Sequence, residues 1–238
     1  MFSNLLLSRL PESDLSRISP LLVPEDLVLG RVLMESYALL DQVWFPESGI
    51  VSHIQLMEDG SMAETGFVGR EGLVGVHAWL GASTTPTQGI VQAPGLAMRM
   101  TTADLLQETG RPNSHLNQLI AEYSNGYLVM VEQTAGCNRL HSLEQRMCRW
   151  LCMIYDRVGA SFPMRQEFLA DMLGVQRPSV SVAAGALQRK GTIEYHRGRM
   201  QVTDNEQLRA CACECYGVSR RQFPYMPQQE LPLDSQAR

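Results

Sequence analysis

Apolar positions along the chain fall into two textures. Between Leu27 and Met100 they come as short runs: Leu27-Val28-Leu29, Val43-Trp44-Phe45, Ile50-Val51, Ile54-Gln55-Leu56, Thr65-Gly66-Phe67-Val68, Gly89-Ile90-Val91 and Leu96-Ala97-Met98. Turn-forming stretches such as Pro46-Glu47-Ser48-Gly49, Gly69-Arg70-Glu71-Gly72 and Ala93-Pro94-Gly95 separate them. Strands recurring about every 8–12 residues with glycine turns predict an antiparallel sandwich or barrel-like roll. Met57-Glu58-Asp59-Gly60-Ser61 reads as a hairpin, because Asp-Gly supplies the positive φ angles of a tight reversed turn. Before the roll, residues 1–22 carry Leu10, Leu15, Ile18 and Leu21-Leu22 at helical spacing, with Ser13 or Asp14 as a cap.

After Met100 the period changes to that of helices. Thr101 or Thr102 caps a short helix through Ala103-Asp104-Leu105-Leu106, and a longer one starts near Asn113-Ser114. Its apolar or small residues fall at Leu116, Ile120, Tyr123, Tyr127, Met130, Thr134 and Cys137, an unbroken heptad seam. Gly126 and Gly136 each weaken an isolated helix by ~1 kcal/mol, so the seam needs a partner. The expected partner is the same seam of a second copy, which makes these seven residues the dimer interface. Leu143, Met147, Trp150-Leu151 and Ile154-Tyr155 continue in a further helix that stops at Val158-Gly159.

Residues 166–190 follow the grammar of a helix-turn-helix. Phe168-Leu169 and Met172-Leu173 bury one face of the first helix, and Ala170 lets a second helix cross closely. Gly174 makes the turn, Val175 plugs it, and Pro178 sits in the first turn of the second helix, where a missing N–H does no harm. Val180, Ala183-Ala184 and Leu187 face inward, which leaves Gln176, Arg177, Ser179, Ser181 and Val182 outward at the N-terminal end. That end of a recognition helix enters the major groove. There Arg reads guanine, Gln reads adenine, and Ser reaches bases or phosphate. Gln166, which opens the first helix, is expected to contact DNA as well. Arg197 and Arg199 tip the following hairpin, a basic wing for the phosphate backbone.

Charge sharpens this picture. The net charge is −5, but residues 1–138 hold 6 Arg against 15 Asp/Glu and residues 139–221 hold 13 Arg/Lys against 8. An acidic front, unsuited to nucleic acid, is joined to a basic back. No run of apolar residues is long enough for a membrane span, and the first residues lack the pattern of a secretory signal, so a cytoplasmic protein is expected. Six cysteines all lie in the second half. Cys148 and Cys152 read as small buried hydrophobes. Cys211, Cys213 and Cys215 lack a spaced partner pair, so no metal site is expected, nor any cofactor. No nucleophile elbow or phosphate loop points to an enzyme.

The order of roll, heptad helix and winged helix-turn-helix resembles the Crp/Fnr superfamily of bacterial transcription regulators. The resemblance spans about residues 5–220. Its most specific pieces are Phe45-Pro46-Glu47-Ser48-Gly49, Val68-Gly69-Arg70-Glu71-Gly72, Asn138-Arg139-Leu140-His141-Ser142-Leu143-Glu144-Gln145-Arg146 and Gln166 to Val175. Cys213-Glu214-Cys215-Tyr216 resembles an ending found in one branch, where it closes the winged domain. The resemblance implies an α+β fold: an antiparallel β-roll sensor over 1–112, a dimerisation helix over 113–138, a winged helix-turn-helix over 139–221 and a loose tail over 222–238. It further implies a homodimer, a near-palindromic site in double-stranded DNA, RNA polymerase as a partner, and a small-molecule effector. Aligned on that family, Val76 stands where cyclic-AMP-binding members have Glu, and Thr87 and Gln88 stand where they have Arg-Ser. No charged residue lies between Glu71 and Arg99, so a cyclic phosphate would lack a counter-charge. An N-terminal iron–sulfur cluster is excluded too, because no cysteine precedes Cys137. His53, His77 or His115 would have to carry haem, and each reads as an ordinary histidine. The expected function is sequence-specific, dimeric DNA binding with a degenerate or non-cyclic-AMP effector pocket. The alternative is a small-molecule sensor module whose DNA binding is secondary or lost.

Overall fold

The computed structural model describes residues 2–226. The lead-in helix α1 (Glu12–Ile18) lies between two short 3-10 turns. Pro11, not Ser13 or Asp14, occupies its N-cap. Asp14 instead holds Arg17 at 3.0 Å and His115 at 3.1 Å.

The roll is built from β1 (Val23–Leu27), β2 (Val32–Met34), β3 (Gln42–Pro46), β4 (Ile50–Leu56) and β5 (Met62–Val68), then the short helix α2 (Val76–Trp79), then β6 (Thr87–Ala93) and β7 (Gly95–Thr101). Two antiparallel sheets form, in the orders β1-β7-β3 and β2-β6-β4-β5. Of the expected run Leu27-Val28-Leu29 only Leu27 lies in a strand, at the end of β1, and Val28 and Leu29 are exposed in the turn before Gly30, whose φ is +80°; β1 before Leu27 and all of β2 fall outside the expected runs. In the hairpin after β4 only Gly60 takes a positive φ, while Asp59 accepts the Ser61 N–H at 2.9 Å.

Behind the roll come α3 (Thr102–Thr109), capped by Thr101, and the long α4 (His115–Leu140), capped by Ser114. His141 and Ser142 join α4 to α5 (Leu143–Val158), which opens with a reciprocal cap between Ser142 and Gln145. The winged unit continues through β8 (Ser161–Pro163), α6 (Gln166–Leu173), α7 (Arg177–Arg189), β9 (Ile193–His196) and β10 (Arg199–Val202), in the sheet order β8-β10-β9. Two helices close it, α8 (Asn205–Cys211) and α9 (Cys215–Arg221).

The heptad seam of α4 does not face outward to a second copy. Leu116, Ile120, Tyr123, Met130 and Cys137 are fully buried within the single chain, and Tyr127 and Thr134 are half-buried. The cause is a partner inside the chain, with the roll on one side and α9 on the other. Tyr127 meets His53 of β4, and Gly66 of β5 lies directly beneath Tyr127 and Met130. Tyr123 seats on Gly72 and donates to the Leu73 carbonyl at 3.3 Å. β4 in turn has the roll's interior on one face and Tyr127 of α4 against His53 on the other, and its first five residues are all buried instead of alternating.

A second correction concerns the segment after 221. Residues 222–226 are packed, not loose: Phe223 stacks near Tyr123, with centroids 6.2 Å apart, and the Tyr225 hydroxyl donates to the Glu71 carbonyl at 3.1 Å. Gly126 is what admits them, since a Cβ there would stand 3.0 Å from the Gln222 carbonyl oxygen. The expected loose tail over 227–238 lies outside the described residues.

These contacts separate two glycines that look alike in sequence. A Cβ on Gly72 would sit 2.2 Å from the Tyr123 ring, whereas one on Gly136 meets nothing within 4 Å. Gly72→Ala is expected to lower stability by about 2–3 kcal/mol through overpacking. Gly136→Ala should raise it by about 0.5–1 kcal/mol through helix propensity. Urea midpoints of the two variants test the pair; equal midpoints would overturn the packing assigned to Tyr123.

Candidate nucleic-acid interface

The reading head is assembled from local rules. Leu169, Ala170, Met172 and Leu173 are buried on α6. The helix ends at Gly174, whose φ of +62° is left-handed, where a residue without Cβ turns at least strain. Val180, Ala183, Ala184 and Leu187 are buried on α7, so the opposite face is free. Gln176, Arg177, Ser179 and Val182 are exposed there, Val182 at 72%. Ser181 is half-buried and donates to Gln166 Oε1 at 2.8 Å, which ties the first turns of the two helices together. Arg177 pairs with Glu167 at 3.0 Å, with both side chains largely exposed. An exposed pair of this kind contributes little, so a base edge can replace Glu167 as the partner of Arg177. Spacing alone did not single out Glu167 or the exposed Arg165, because Glu167 reaches Arg177 only across the turn. In the wing, Arg197 takes a positive φ of 48° beside Gly198 and is exposed; Arg199 is exposed and donates to Ser161 Oγ at 3.3 Å.

The winged unit is held against the roll by buried polar contacts. Arg157 of α5 pairs with Glu71 at 2.7 Å with both side chains nearly inaccessible, and its guanidinium lies 4.7 Å above the Phe67 ring. Trp150 donates to Glu64 of β5 at 2.6 Å, and α6 packs on that same strand. The Arg146 guanidinium donates to the Leu173 carbonyl, which fixes α5 to the end of α6.

Residues 145–211 match the model of the Crp-like helix-turn-helix domain, a DNA-binding domain. The fold is similar to that of FixK2 from Bradyrhizobium japonicum, at 14% identity and a TM-score of 0.68 over 81% of this chain and 98% of that one. It is similar to a CRP-family transcriptional regulator from Thermus thermophilus, at 17% identity and a TM-score of 0.67 over 79% and 96%. Residues 145–211 thus carry a Crp-like helix-turn-helix domain, and the described fold is similar to those solved structures. The c-di-GMP-responsive global regulator CLP of Xanthomonas campestris shares the fold at 14% identity, with a TM-score of 0.66 over 81% and 99%. No curated protein sequence matches this one significantly. Among the described residues no helix is long and apolar enough to cross a membrane.

Away from the reading head, a cavity of about 410 Å³ opens between the roll and α4. Val76, His77 and Thr87 line its roll side, and Ser124, Tyr127 and Leu128 line its helix side. No Arg or Lys is among its lining residues. Gln88 bonds Glu35 at 2.8 Å instead, and Arg99 is engaged with Glu25 at 2.8 Å. Burial, reinforced by His77, holds His53 neutral, with its pKa pushed down to about 3. Burial also pushes the Tyr127 phenol up, and its hydroxyl meets His53 Nδ1 at 2.5 Å. The structure also corrects the reading of the cysteines. Cys213 and Cys215 do have a partner pair, Cys137 and His141, across the fold.

Burial raises Glu64 to about 7, against the lowering effects of Ser52, Trp150 and the charges of Arg149 and Arg157. A carboxyl whose folded pKa is raised binds its proton more tightly in the folded state. Its contribution is complete below about pH 4.5 and is lost as pH rises through about 7. Glu64→Gln is therefore expected to match the wild type near pH 5 and to exceed it at pH 8, by on the order of 2–3 kcal/mol. Thermal melts across that range provide the check, and parallel pH profiles for the two proteins would refute the buried proton.

Proposed function

We propose that the protein is a cytoplasmic transcription regulator, not an enzyme, that binds a near-palindromic site in double-stranded DNA as a homodimer. The observation that carries this reading is the N-terminal turn of α7, where Gln176, Arg177 and Ser179 stand exposed above a fully buried apolar stripe. Such a turn is rigid from below and polar on top, as groove readout requires. Arg177 contacts a guanine edge, Gln176, Ser179, Ser181 and Val182 add neighbouring contacts, and Gln166 holds Ser181 in place. Arg197 and Arg199 contact phosphate. RNA polymerase is the further macromolecular partner of this reading. The uncharged cavity suits a neutral effector better than a cyclic nucleotide.

Arg177→Ala should cost ~1–3 kcal/mol per half-site and relax base preference at one position. Replacing Arg197 and Arg199 with Ala should weaken all sequences about equally and flatten the salt dependence. A panel of single-base operator variants, measured at several salt concentrations, separates the two. The reverse pattern would exchange the roles of helix and wing.

Since its inward seam is taken, α4 dimerises through the opposite stripe, Ala121, Leu128, Val131 and Ala135, of which Leu128 is 56% exposed. Leu80, 65% exposed, lies beside Leu128 at the cavity rim. A two-fold axis along this stripe relates two α7 helices as a palindrome demands. Leu128→Glu is expected to sediment as a folded monomer, while Ile120→Glu unfolds the chain. A dimeric Leu128→Glu would sink this interface.

A further inference from the structure

We infer that Cys137, His141, Cys213 and Cys215 form a tetrahedral site for a divalent transition metal, zinc by ligand type, at the joint between α4 and α5. Sequence separates these residues by up to 78 positions, but their four ligand atoms lie within 4.8 Å of one another. Cys137 and His141 stand four apart at the last turn of α4, so the helical period puts both on one side. Cys213 and Cys215 flank Glu214 in the turn between α8 and α9. Cys137 Sγ is 3.5 Å from Cys213 Sγ, and Cys215 Sγ is 3.5 Å from His141 Nδ1. With Zn–S near 2.3 Å and Zn–N near 2.0 Å, neighbouring ligand atoms of a tetrahedral site stand roughly 3.5–3.8 Å apart. The closest approaches already have that scale.

The surroundings are those of a ligand set and not merely of buried thiols. His141 Nε2 meets Glu214 Oε1 at 3.2 Å, which turns Nδ1 toward the sulfurs. A carboxylate on the far nitrogen is the usual support of a metal-binding histidine. Gln133 Nε2 donates to Cys215 Sγ at 3.0 Å, a bond that favours the thiolate. Three thiolates around a divalent ion leave one negative charge, and Arg146 and Arg149 lie close enough to act on Cys137 electrostatically. A disulfide between two of the cysteines would leave the third thiol and His141 converging on nothing. Cys148 and Cys152, by contrast, are buried in the main core with no histidine beside them and remain small hydrophobes.

The location gives the site a consequence. His141 is the first of the two residues that join α4 to α5, while Cys213 lies between the two helices that close the winged unit and Cys215 opens the second of them. A bound ion therefore ties the joint to the far end of that unit and sets the angle at which the reading head leaves α4. The four ligands close four coordination positions, so the site is structural and not catalytic.

The test uses the full-length chain, stripped of metal with chelator under reducing conditions and titrated with Co(II). One equivalent should bind per chain, with the ligand-field bands of tetrahedral cobalt and a thiolate charge-transfer band, and Zn(II) should displace it. Cys213→Ser and His141→Gln should each weaken cobalt binding at least tenfold, whereas Cys148→Ser should bind like the wild type. Because a ligand variant can lose its fold, the thermal midpoint of the unmodified chain is also read with and without Zn(II), and should rise with it. Absence of the charge-transfer band, an unchanged midpoint, or a Cys213→Ser variant that binds cobalt as tightly as the wild type would each overturn the site. So would a Cys137–Cys213 disulfide in chain isolated without reductant, which would mark a redox pair instead.

Discussion

The ion pair between Arg157 and Glu71 is the constraint on which the arrangement of this protein depends. Both side chains are almost wholly removed from water, and each comes from a different part of the chain, α5 and the turn after β5. Glu71 also accepts the Gly69 N–H at 3.1 Å, and Arg157 donates to the Met153 carbonyl at 2.8 Å. A buried pair of this kind tolerates no half measures, because removing one partner strands the other charge at about 3–5 kcal/mol. With the winged unit docked on the roll, the two charges are paired out of water. Phe67, Trp150 and Glu64 belong to the same contact: Trp150 donates to Glu64 and its ring meets Phe67 edge-on, with centroids 6.4 Å apart.

Helix α4 carries the second level of organisation. It is covered on its heptad seam by the roll and by α9 with residues 222–226, and it leaves Leu128 and its neighbours outside. The cavity lies where roll and exposed helix face meet, so a ligand there would touch Leu128 and Tyr127 at once. Tyr127 in turn touches His53, and two turns further along α4 Thr134 accepts from Arg149 of α5 at 2.8 Å. These contacts lie along one helix and run from the cavity to α5, the first helix of the winged unit.

The reading head was the most legible part of the sequence. Gly174 at a positive φ, Pro178 in a first turn and the inward set Val180, Ala183, Ala184 and Leu187 obey rules that act within about a dozen residues, and the fold leaves them in force. The strands from β3 onward were legible for the same reason, whereas β1, where Pro24, Glu25 and Asp26 break the apolar pattern, and the three-residue β2 were not. Glu64 gave no signal, because a single carboxylate in a strand reads as solvent-facing until the neighbour that buries it is known.

Local periodicity and turn chemistry thus determined by themselves that the chain forms a roll, a long helix and a winged helix-turn-helix, and which face of α7 stays outside. They also determined that Leu116 to Cys137 would be buried. What buries that seam was decided only by the tertiary structure, because a heptad reports that a stripe avoids water and carries no information on what covers it. Residues of the roll and of α9 reached it first. The gathering of Cys137 and His141 with Cys213 and Cys215 was likewise invisible in the sequence, since ligand geometry is a matter of distance in space and these pairs are brought together only when the chain closes on itself.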